Sequence, residues 1–214
     1  MINKDTKLFG SFAETAGSKG CKYFNAAFQF CDVNAIYKSF SVNSIEAAVA
    51  AANTLNMSGF AVTMPFKTEV IQYLDFVTDD VKEIGACNTV IRHADGLKGY
   101  NTDANAAFQK LRPYLVTHSD ITILGNGGYS KAVQHACKKL GMNVTLITRQ
   151  NWDRIVYLTD ELVFNCTPVK FMGVQFHGCT FIDCDVESTT GKQLGMLQAA
   201  EQFYLYTRLE FPFK

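Results

Sequence analysis

The stretch Ile121-Thr-Ile-Leu-Gly-Asn-Gly-Gly-Tyr-Ser-Lys-Ala-Val133 decides the fold of this chain. It predicts a short buried strand, a glycine-rich turn and the start of a helix. Glycines let such a turn bend tightly and approach a phosphate, and the N–H groups and dipole of the following helix favour negative charge there. The spacing Gly125-x-Gly127-Gly128 therefore predicts a pyrophosphate site, with Ser130 where the dinucleotide fingerprint prefers Gly or Ala. The alternative is a glycine turn without a ligand, which also occurs after strands.

Strand-like and helix-like segments alternate along the whole chain. Such alternation predicts parallel sheets and an α/β fold. Asn43 with Glu46 is typical of a capping box before a helix, and Asp95-Gly96 is typical of a hairpin turn. The predicted strands are 8–12, 35–39, 59–63, 89–92, 97–100, 121–124, 143–147, 162–165 and 180–183. The predicted helices are 23–30, 45–55, 67–74, 79–84, 103–111, 129–140, 152–158 and 194–206.

Charge and cysteine content narrow the class of protein. Lysine plus arginine and aspartate plus glutamate number 20 each, so nucleic acid and anionic membrane surfaces are not expected as partners. No apolar run approaches the length of a membrane-spanning helix, and no signal peptide is evident. The seven cysteines show no Cys-x-x-Cys spacing, which favours reduced thiols in a cytoplasmic protein. His177, Cys179 and Cys184 lie close in sequence but fit no common zinc module, so no metal is expected.

Polar residues that follow predicted strands are the candidates for chemistry. Lys67 comes after the strand at 59–63, and strand ends in α/β folds face the ligand crevice. A lysine there can transfer a proton if partial burial lowers its pKa, although a solvated surface lysine is the commoner case. Asn88 and Asp103 also follow or precede strands, where a capping or turn role competes with ligand binding.

Arg149 closes the strand that follows the glycine turn, 24 residues after Gly125. The adenosine ribose of a dinucleotide lies at this strand end. An acidic residue there selects NAD, whereas an arginine accommodates the 2′-phosphate of NADP. The sequence has Thr148-Arg149 and no acid, so it favours NADP. The alternative is an ordinary exposed arginine.

Six segments together carry a family resemblance. They are Gly59-Phe-Ala-Val-Thr-Met-Pro-Phe-Lys67, Gly85-Ala-Cys-Asn-Thr-Val90, Gly99-Tyr-Asn-Thr-Asp103, Leu124-Gly-Asn-Gly-Gly128, Asn165-Cys-Thr-Pro168 and Gly195-Met-Leu-Gln-Ala-Ala-Glu-Gln-Phe203. In this order they resemble the shikimate dehydrogenase family from one end of the chain to the other. The loop at 16–21 and the tail at 201–207 are similar to its divergent shikimate dehydrogenase-like branch.

The resemblance implies two α/β domains with the active site in the cleft between them. It implies a substrate-binding and catalytic domain at 1–103, a short Rossmann-like nucleotide-binding domain at 104–194, and a C-terminal helix at 195–214 that returns to the substrate domain. The implied reaction is the NADP-linked, reversible reduction of 3-dehydroshikimate to shikimate, or of a close cyclic polyol acid. A homodimer is left open as the assembly.

The resemblance also implies roles for individual residues. Lys67 and Asp103 match the catalytic pair, and the reaction needs such an acid/base group because a proton leaves the alcohol oxygen as hydride leaves its carbon. Positions that bind the substrate's carboxylate and hydroxyls match Ser18, Thr63, Asn88 and Gln198. Positions at the cofactor site match Gly125, Asn126, Gly127, Gly128, Arg149, Asn165, Cys166 and Thr167.

Three features depart from the family pattern. Gly20 stands where the family carries the second serine of Ser-x-Ser, Lys170 stands near its usual glycine, and only about a dozen residues separate Arg149 from the strand at 162–165. The competing hypothesis is therefore a catalytically weak or inactive homologue that binds nucleotide or a shikimate-like ligand in a sensing or partner role. A folate-linked dehydrogenase is disfavoured by the Asn-Thr-Asp and Gln198 motifs.

Overall fold

The chain divides into two compact units in a computed structural model, which describes residues 2–171 and 176–213. The first unit consists of two segments, the chain up to Thr102 and the chain from Ala199 to its end. The second unit spans Asp103–Gln198. Over the described residues, each helix is too short or too polar to cross a membrane.

The first unit is built on a six-stranded sheet. Its strands are β1 (Lys7–Ala13), β2 (Ala35–Ser41), β3 (Gly59–Val62), β4 (Phe76–Val77), β5 (Thr89–His93) and β6 (Gly96–Tyr100). They lie in the order β2-β1-β3-β5-β6-β4, and β5 runs antiparallel to both its neighbours whereas the other pairs are parallel. The carboxyl ends of β1, β2, β3 and β6 and the start of β5 therefore share one edge, named here the carboxyl edge of the first sheet.

Amphipathic helices cover this sheet. They are α1 (Lys19–Phe30), α2 (Ile45–Thr54) and α3 (Asp79–Ile84). On α2 the buried positions Ile45, Ala48, Val49 and Ala52 form one helical stripe, which packs on the sheet core around Phe60. The strands supply the rest of the core, and consecutive residues of β1, β3 and β5 are buried because core clusters lie on both faces of the sheet.

Two local predictions in the first unit are wrong. The cap of α2 is Ser44, whose extended backbone lets its hydroxyl accept from the N–H of Ala47 (3.2 Å), so Asn43 does not form the expected capping box. The helix expected at 67–74 is a 3-10 turn, Glu69–Tyr73. Val70 is the fully buried residue of that turn, and Ile71 and Tyr73 pack partly buried against the same core, so its apolar contacts fill one short turn and not a longer helical stripe.

The second unit contains a four-stranded, fully parallel sheet. Its strands are β7 (Asp120–Leu124), β8 (Asn143–Ile147), β9 (Leu162–Asn165) and β10 (Thr180–Asp183), in the order β10-β9-β7-β8. Its helices are α4 (Thr102–Leu111), α5 (Gly128–Leu140) and α6 (Thr189–Thr207), of which α4 begins and α6 ends in the first unit. Short 3-10 turns occupy Arg112–Val116 and Trp152–Tyr157. This alternation confirms the predicted α/β fold class.

The last helix begins before residue 194, where the sequence predicts its start. The hydroxyl of Ser188 accepts from the N–H of Gly191 (2.8 Å), and the carbonyl of Ser188 accepts from the N–H of Lys192 (3.0 Å). These bonds satisfy the first turn, so α6 starts at Thr189 although Gly191 and Gly195 interrupt its apolar pattern.

Candidate functional site

The carboxyl edge of the first sheet gathers most of the predicted substrate residues. Ser18 precedes α1 after β1, Thr63 and Lys67 follow β3, and Asn88 directly precedes β5. Ser18 and Thr63 are exposed, and Lys67 is half-buried. Because β5 is antiparallel, its first residue lies at the same edge as the ends of the parallel strands.

The backbone at Lys67 is held firmly in place. Its carbonyl accepts from the N–H of Cys87 (2.7 Å), and the preceding Phe66 is 6% exposed in the core. The N–H of Phe66 donates to the carbonyl of Thr63 (2.9 Å), which closes the turn before the lysine. The ammonium group therefore extends from a short segment tied to the loop that carries Asn88.

Asn88 is buried and binds the start of α4. Its Oδ1 accepts from the N–H of Thr102 (2.8 Å) and from the hydroxyl of Thr89 (3.0 Å). Its Nδ2 donates to the hydroxyl of Thr102 (2.9 Å). The side chain expected to bind a substrate hydroxyl thus also satisfies the first turn of the helix that carries Asp103.

Sequence reasoning missed Gln202, which joins this polar cluster through Thr89. Gln202 is buried, and its Nε2 donates to the hydroxyl of Thr89 (2.8 Å). A buried amide needs a partner, but Thr89 lies 113 positions away in the chain, so no local sequence pattern pointed to this contact.

Gly20, where the family carries a serine, lies against Tyr37. A Cβ added at Gly20 would lie 3.0 Å from Cε1 and 3.3 Å from the hydroxyl oxygen of Tyr37. Asn25 fixes this spacing, because its amide accepts from the N–H of Tyr37 (2.8 Å) and donates to its carbonyl (2.9 Å). A side chain at position 20 would therefore require the Tyr37 ring to shift by a few tenths of an ångström.

Asp103 and Gln198 belong to the second unit. Asp103 lies in the first turn of α4 and is 2% exposed, and Gln198 is half-buried on α6. Burial, followed by the negative charge of Asp103, raises the pKa of the Tyr129 phenol well above its ordinary value. Asp103 therefore lies near the start of α5, where the glycine turn ends.

The glycine turn of the second unit has the geometry that the sequence predicts. Gly125 has φ +97°, and an added Cβ would lie 2.8 Å from Cγ2 of Thr167. At Gly127 and Gly128, which open α5, an added Cβ would meet open space. Gly127 is exposed, so no side chain covers the turn at the start of this 13-residue helix, whose first N–H groups lack intrahelical partners.

Ser130 and Gln134 hold the turn in shape. The hydroxyl of Ser130 donates to the carbonyl of Gly125 (2.7 Å), which explains a serine at the position where the fingerprint prefers Gly or Ala. Gln134 Nε2 donates to Ser130 Oγ (3.1 Å) and to Oδ1 of the exposed Asn126 (3.3 Å).

Asn165 organises the loop after β9. Its Oδ1 accepts from the N–H and the hydroxyl of Thr167 (2.9 and 2.7 Å), and its Nδ2 donates to Val169 O and Asp183 Oδ1 (3.1 and 3.2 Å). This fully buried amide is saturated, so Asn165 shapes the segment with Cys166 and Thr167.

Arg149 lies in a tight turn at the end of β8, beside β7 and its glycine turn. Asn151 Oδ1 accepts from the N–H of Thr148 (2.7 Å), and Asn151 Nδ2 donates to Leu146 O (3.1 Å). The guanidinium of Arg149 is exposed, and the N–H of Gly125 donates to the carbonyl of Ile147 (2.8 Å). This turn therefore presents a cation at the same edge as the predicted phosphate site.

Metal ligands were expected to be absent, and the finding here concerns residues 2–171 and 176–213. Among them, no group of three or more His, Cys, Asp or Glu side chains could hold a metal ion.

Comparisons with known proteins agree with these features. The model of the shikimate dehydrogenase substrate binding domain matches residues 13–90. A shikimate dehydrogenase (NADP(+)) of Aquifex aeolicus is 37% identical over 154 residues, which are 70% of this chain and 57% of that protein. A shikimate dehydrogenase (NADP(+)) of Microcystis aeruginosa is 30% identical over 200 residues, which are 79% of this chain and 70% of that protein.

The fold is also similar to that of a solved relative. The crystal structure of shikimate dehydrogenase from Aquifex aeolicus superposes with a TM-score of 0.85 at 27% identity, covering 99% of this chain and 96% of the other. In sequence, however, the chain spans less than two thirds of the length of several curated relatives that it matches, from 53% to 62%.

Proposed function

Because the chain belongs to the shikimate dehydrogenase family, we propose that it catalyses the NADP-dependent, reversible reduction of 3-dehydroshikimate, or of a close cyclic polyol acid. The observation that carries this proposal is the open glycine turn at the start of α5, beside the exposed Arg149. Helix N–H groups and a nearby guanidinium are the donors that a pyrophosphate and a 2′-phosphate require.

Lys67 is the proposed acid/base group. Reduction of the ketone places a proton on its oxygen, and oxidation of the alcohol removes it, so one group must exchange this proton in both directions. Lys67 extends from a segment whose carbonyl is tied to Cys87, which fixes where its amine can reach. Asp103 orients this amine or shares its proton. NADPH, when bound, supplies the hydride.

Polar groups at the carboxyl edge of the first sheet bind the substrate in this proposal. Ser18 and Thr63 offer exposed hydroxyls, and Asn88 offers an amide whose orientation is set by Thr89 and Thr102. Gln198 is the fourth proposed substrate-binding residue. Two loops bind the cofactor in this proposal. One is the glycine turn from Gly125 to Gly128, and the other holds Asn165, Cys166 and Thr167, where the side chain of Asn165 fixes the backbone.

The test is turnover with matched cofactors and substrates. The purified chain is incubated with shikimate and NADP, with NAD and quinate in parallel, and reduced nicotinamide is followed by absorbance. We expect NADP reduction that Lys67→Ala abolishes while NADP binding, measured by calorimetry, is retained. Lys82→Ala, a lysine on the exposed side of α3 paired with Asp79, is the control and should keep full activity. Unchanged turnover in Lys67→Ala would exclude this lysine from the mechanism.

A second function is favoured by the packing at Gly20. Position 20 is a glycine with Tyr37 packed closely against it, so the second serine hydroxyl of the family pattern is absent. A homologue that binds nucleotide or a shikimate-like ligand without rapid turnover fits this observation. Tight NADP binding with no turnover on any cyclic polyol acid, in a folded protein, would support this function over the first.

A further inference from the structure

Two cysteines follow adjacent parallel strands of the second unit. The register of β9 and β10 pairs Asn165 with Asp183, and the next residues are Cys166 and Cys184. The N–H of Cys184 donates to the carbonyl of Asn165 (3.1 Å), so the strands are still joined at this point. Neighbouring strands lie about 4.8 Å apart, which is within the Cα separations of about 4.4–6.8 Å that a disulfide spans.

Both thiols lie on the same face of the sheet. Nδ2 of Asn165 reaches Oδ1 of Asp183 across the strands, so this pair shares one face. Side chains alternate along a strand, and Phe164 and Ile182 accordingly share the opposite, core-facing side. Cys166 and Cys184 continue that side and pack, half-buried, against the same core cluster.

We infer that Cys166 and Cys184 form a peroxide-sensitive thiol pair that closes to a disulfide. Both side chains are partly accessible to a small oxidant, while the nearby Cys137 is fully buried. The register opposes the two residues, so β9 and β10 stay paired while the segments that carry Cys166 and Cys184 shift to bring the two sulfurs together.

The chemistry balances with hydrogen peroxide as the oxidant. Burial raises the pKa of both thiols, that of Cys184 to about 11, so the reaction is expected at alkaline pH, where a thiolate is populated. This thiolate attacks the peroxide O–O bond, giving a sulfenic acid and hydroxide, which takes up the thiol proton as water. The second sulfur then attacks the sulfenic sulfur, forms the S–S bond and expels the oxygen as a second water. Two thiols are oxidised by two electrons, and one peroxide is reduced to two waters. A dithiol reductant reverses the step.

Oxidation at this pair would act on the glycine turn. The N–H of Cys166 donates to the carbonyl of Leu124 (2.9 Å), and an added Cβ on Gly125 would lie 3.5 Å from the carbonyl oxygen of Cys166. A disulfide that displaces the Cys166 backbone therefore displaces the loop against which Gly125 packs. This consequence rests on the proposed NADP site, whereas the disulfide itself does not.

Mapping the oxidised cysteines tests the pair directly. The full chain is treated with hydrogen peroxide at alkaline pH, remaining thiols are blocked by alkylation, and unreduced peptides are analysed by mass spectrometry. We expect a peptide pair joining Cys166 to Cys184 that disappears after dithiothreitol. Cys179→Ala, which removes another half-buried cysteine of this unit, should leave the pair intact. Linkage of either residue to Cys137, or oxidation of the other half-buried cysteines without this link, would overturn the inference.

A binding measurement tests the consequence separately. Oxidised protein is expected to bind NADP about tenfold more weakly than reduced protein, with recovery after dithiothreitol. Cys184→Ala should show the same NADP affinity before and after peroxide. A verified disulfide with unchanged NADP affinity would refute the effect on the glycine turn. Absence of NADP binding in the reduced protein would instead refute the proposed function and leave the disulfide result standing.

Discussion

Gly125 and Gly127 lie two residues apart in one turn but meet different constraints. Gly125 has φ +97° and would place a Cβ 2.8 Å from Thr167, whereas Gly127 has φ −83° and open space around it. We therefore expect Gly125→Ala to lower the free energy of unfolding by about 1–3 kcal/mol, while Gly127→Ala changes it by less than about 0.5 kcal/mol. Urea denaturation followed by fluorescence of Trp152 measures both.

The same two variants separate folding from binding. A methyl group at position 127 enters the open space before α5, where the proposed phosphates would approach, so Gly127→Ala should weaken NADP binding without loss of stability. Calorimetry with NADP checks this. Normal affinity in Gly127→Ala would show that the phosphates do not lie over this turn.

Arg149 is expected to discriminate between the two nicotinamide cofactors. Its exposed guanidinium at the end of β8 would meet the 2′-phosphate, a group that only NADP carries. Arg149→Ala should weaken NADP binding about tenfold or more and leave NAD binding unchanged. Arg154→Ala, an exposed arginine in the following 3-10 turn, is the matched control. Equal weakening of both cofactors would show that Arg149 does not read the 2′-phosphate.

The helices α4 and α6 meet the strand β5 through one buried polar chain. Gln202 donates to Thr89, Thr89 donates to Asn88, and Asn88 accepts the first N–H of α4 from Thr102. Gln202→Leu removes a donor from this buried chain and should cost about 1–3 kcal/mol of stability. In the proposed site Asn88 binds the substrate in its ground state, so Gln202→Leu should also raise the KM for shikimate more than it lowers kcat.

An exposed glutamine of α6 provides the control for this prediction. Gln193 accepts from Lys110 at the surface, so Gln193→Leu should change stability by less than about 0.5 kcal/mol. If Gln202→Leu and Gln193→Leu behave alike in denaturation and kinetics, the buried chain does not position Asn88.

The elements with a strong apolar period were predictable from the sequence, and those fixed by distant contacts were not. The strands 143–147, 162–165 and 180–183 are observed at their predicted bounds. The two-residue strand β4 was missed, since it is defined only by its pairing with β6.

The candidate site likewise contains residues that local sequence patterns predict and residues that they do not. Strand ends placed Lys67 and Asn88 at one edge, but the contact of Gln202 with Thr89 joins residues 113 positions apart, and no local pattern encodes it.

Buried thiols and phenols in both units make the whole molecule sensitive to alkaline pH. Burial raises the pKa of Cys137 from 9.0 to about 12, and burial with the charge of Asp183 raises that of Cys184 to about 11. In the first unit, burial raises the pKa of Tyr37 and Tyr206. Each group ionises in the unfolded chain at a lower pH than in the folded protein. The folded state therefore holds more protons above pH 9, and its stability falls as the pH rises.

The size and place of this loss can be measured with the single tryptophan. Between pH 9 and 11 each such cysteine should cost up to about 1.4 kcal/mol per pH unit, and between pH 6 and 8 these groups should contribute no slope. Trp152 lies in the second unit, so its fluorescence in urea reports the unit that holds Cys137 and Cys184. Cys137→Ala removes one titrating group and should flatten the decline above pH 9, even though the variant starts from a lower stability. A wild-type midpoint that stays constant from pH 8 to 11 would mean that these thiols reach water before the unit unfolds.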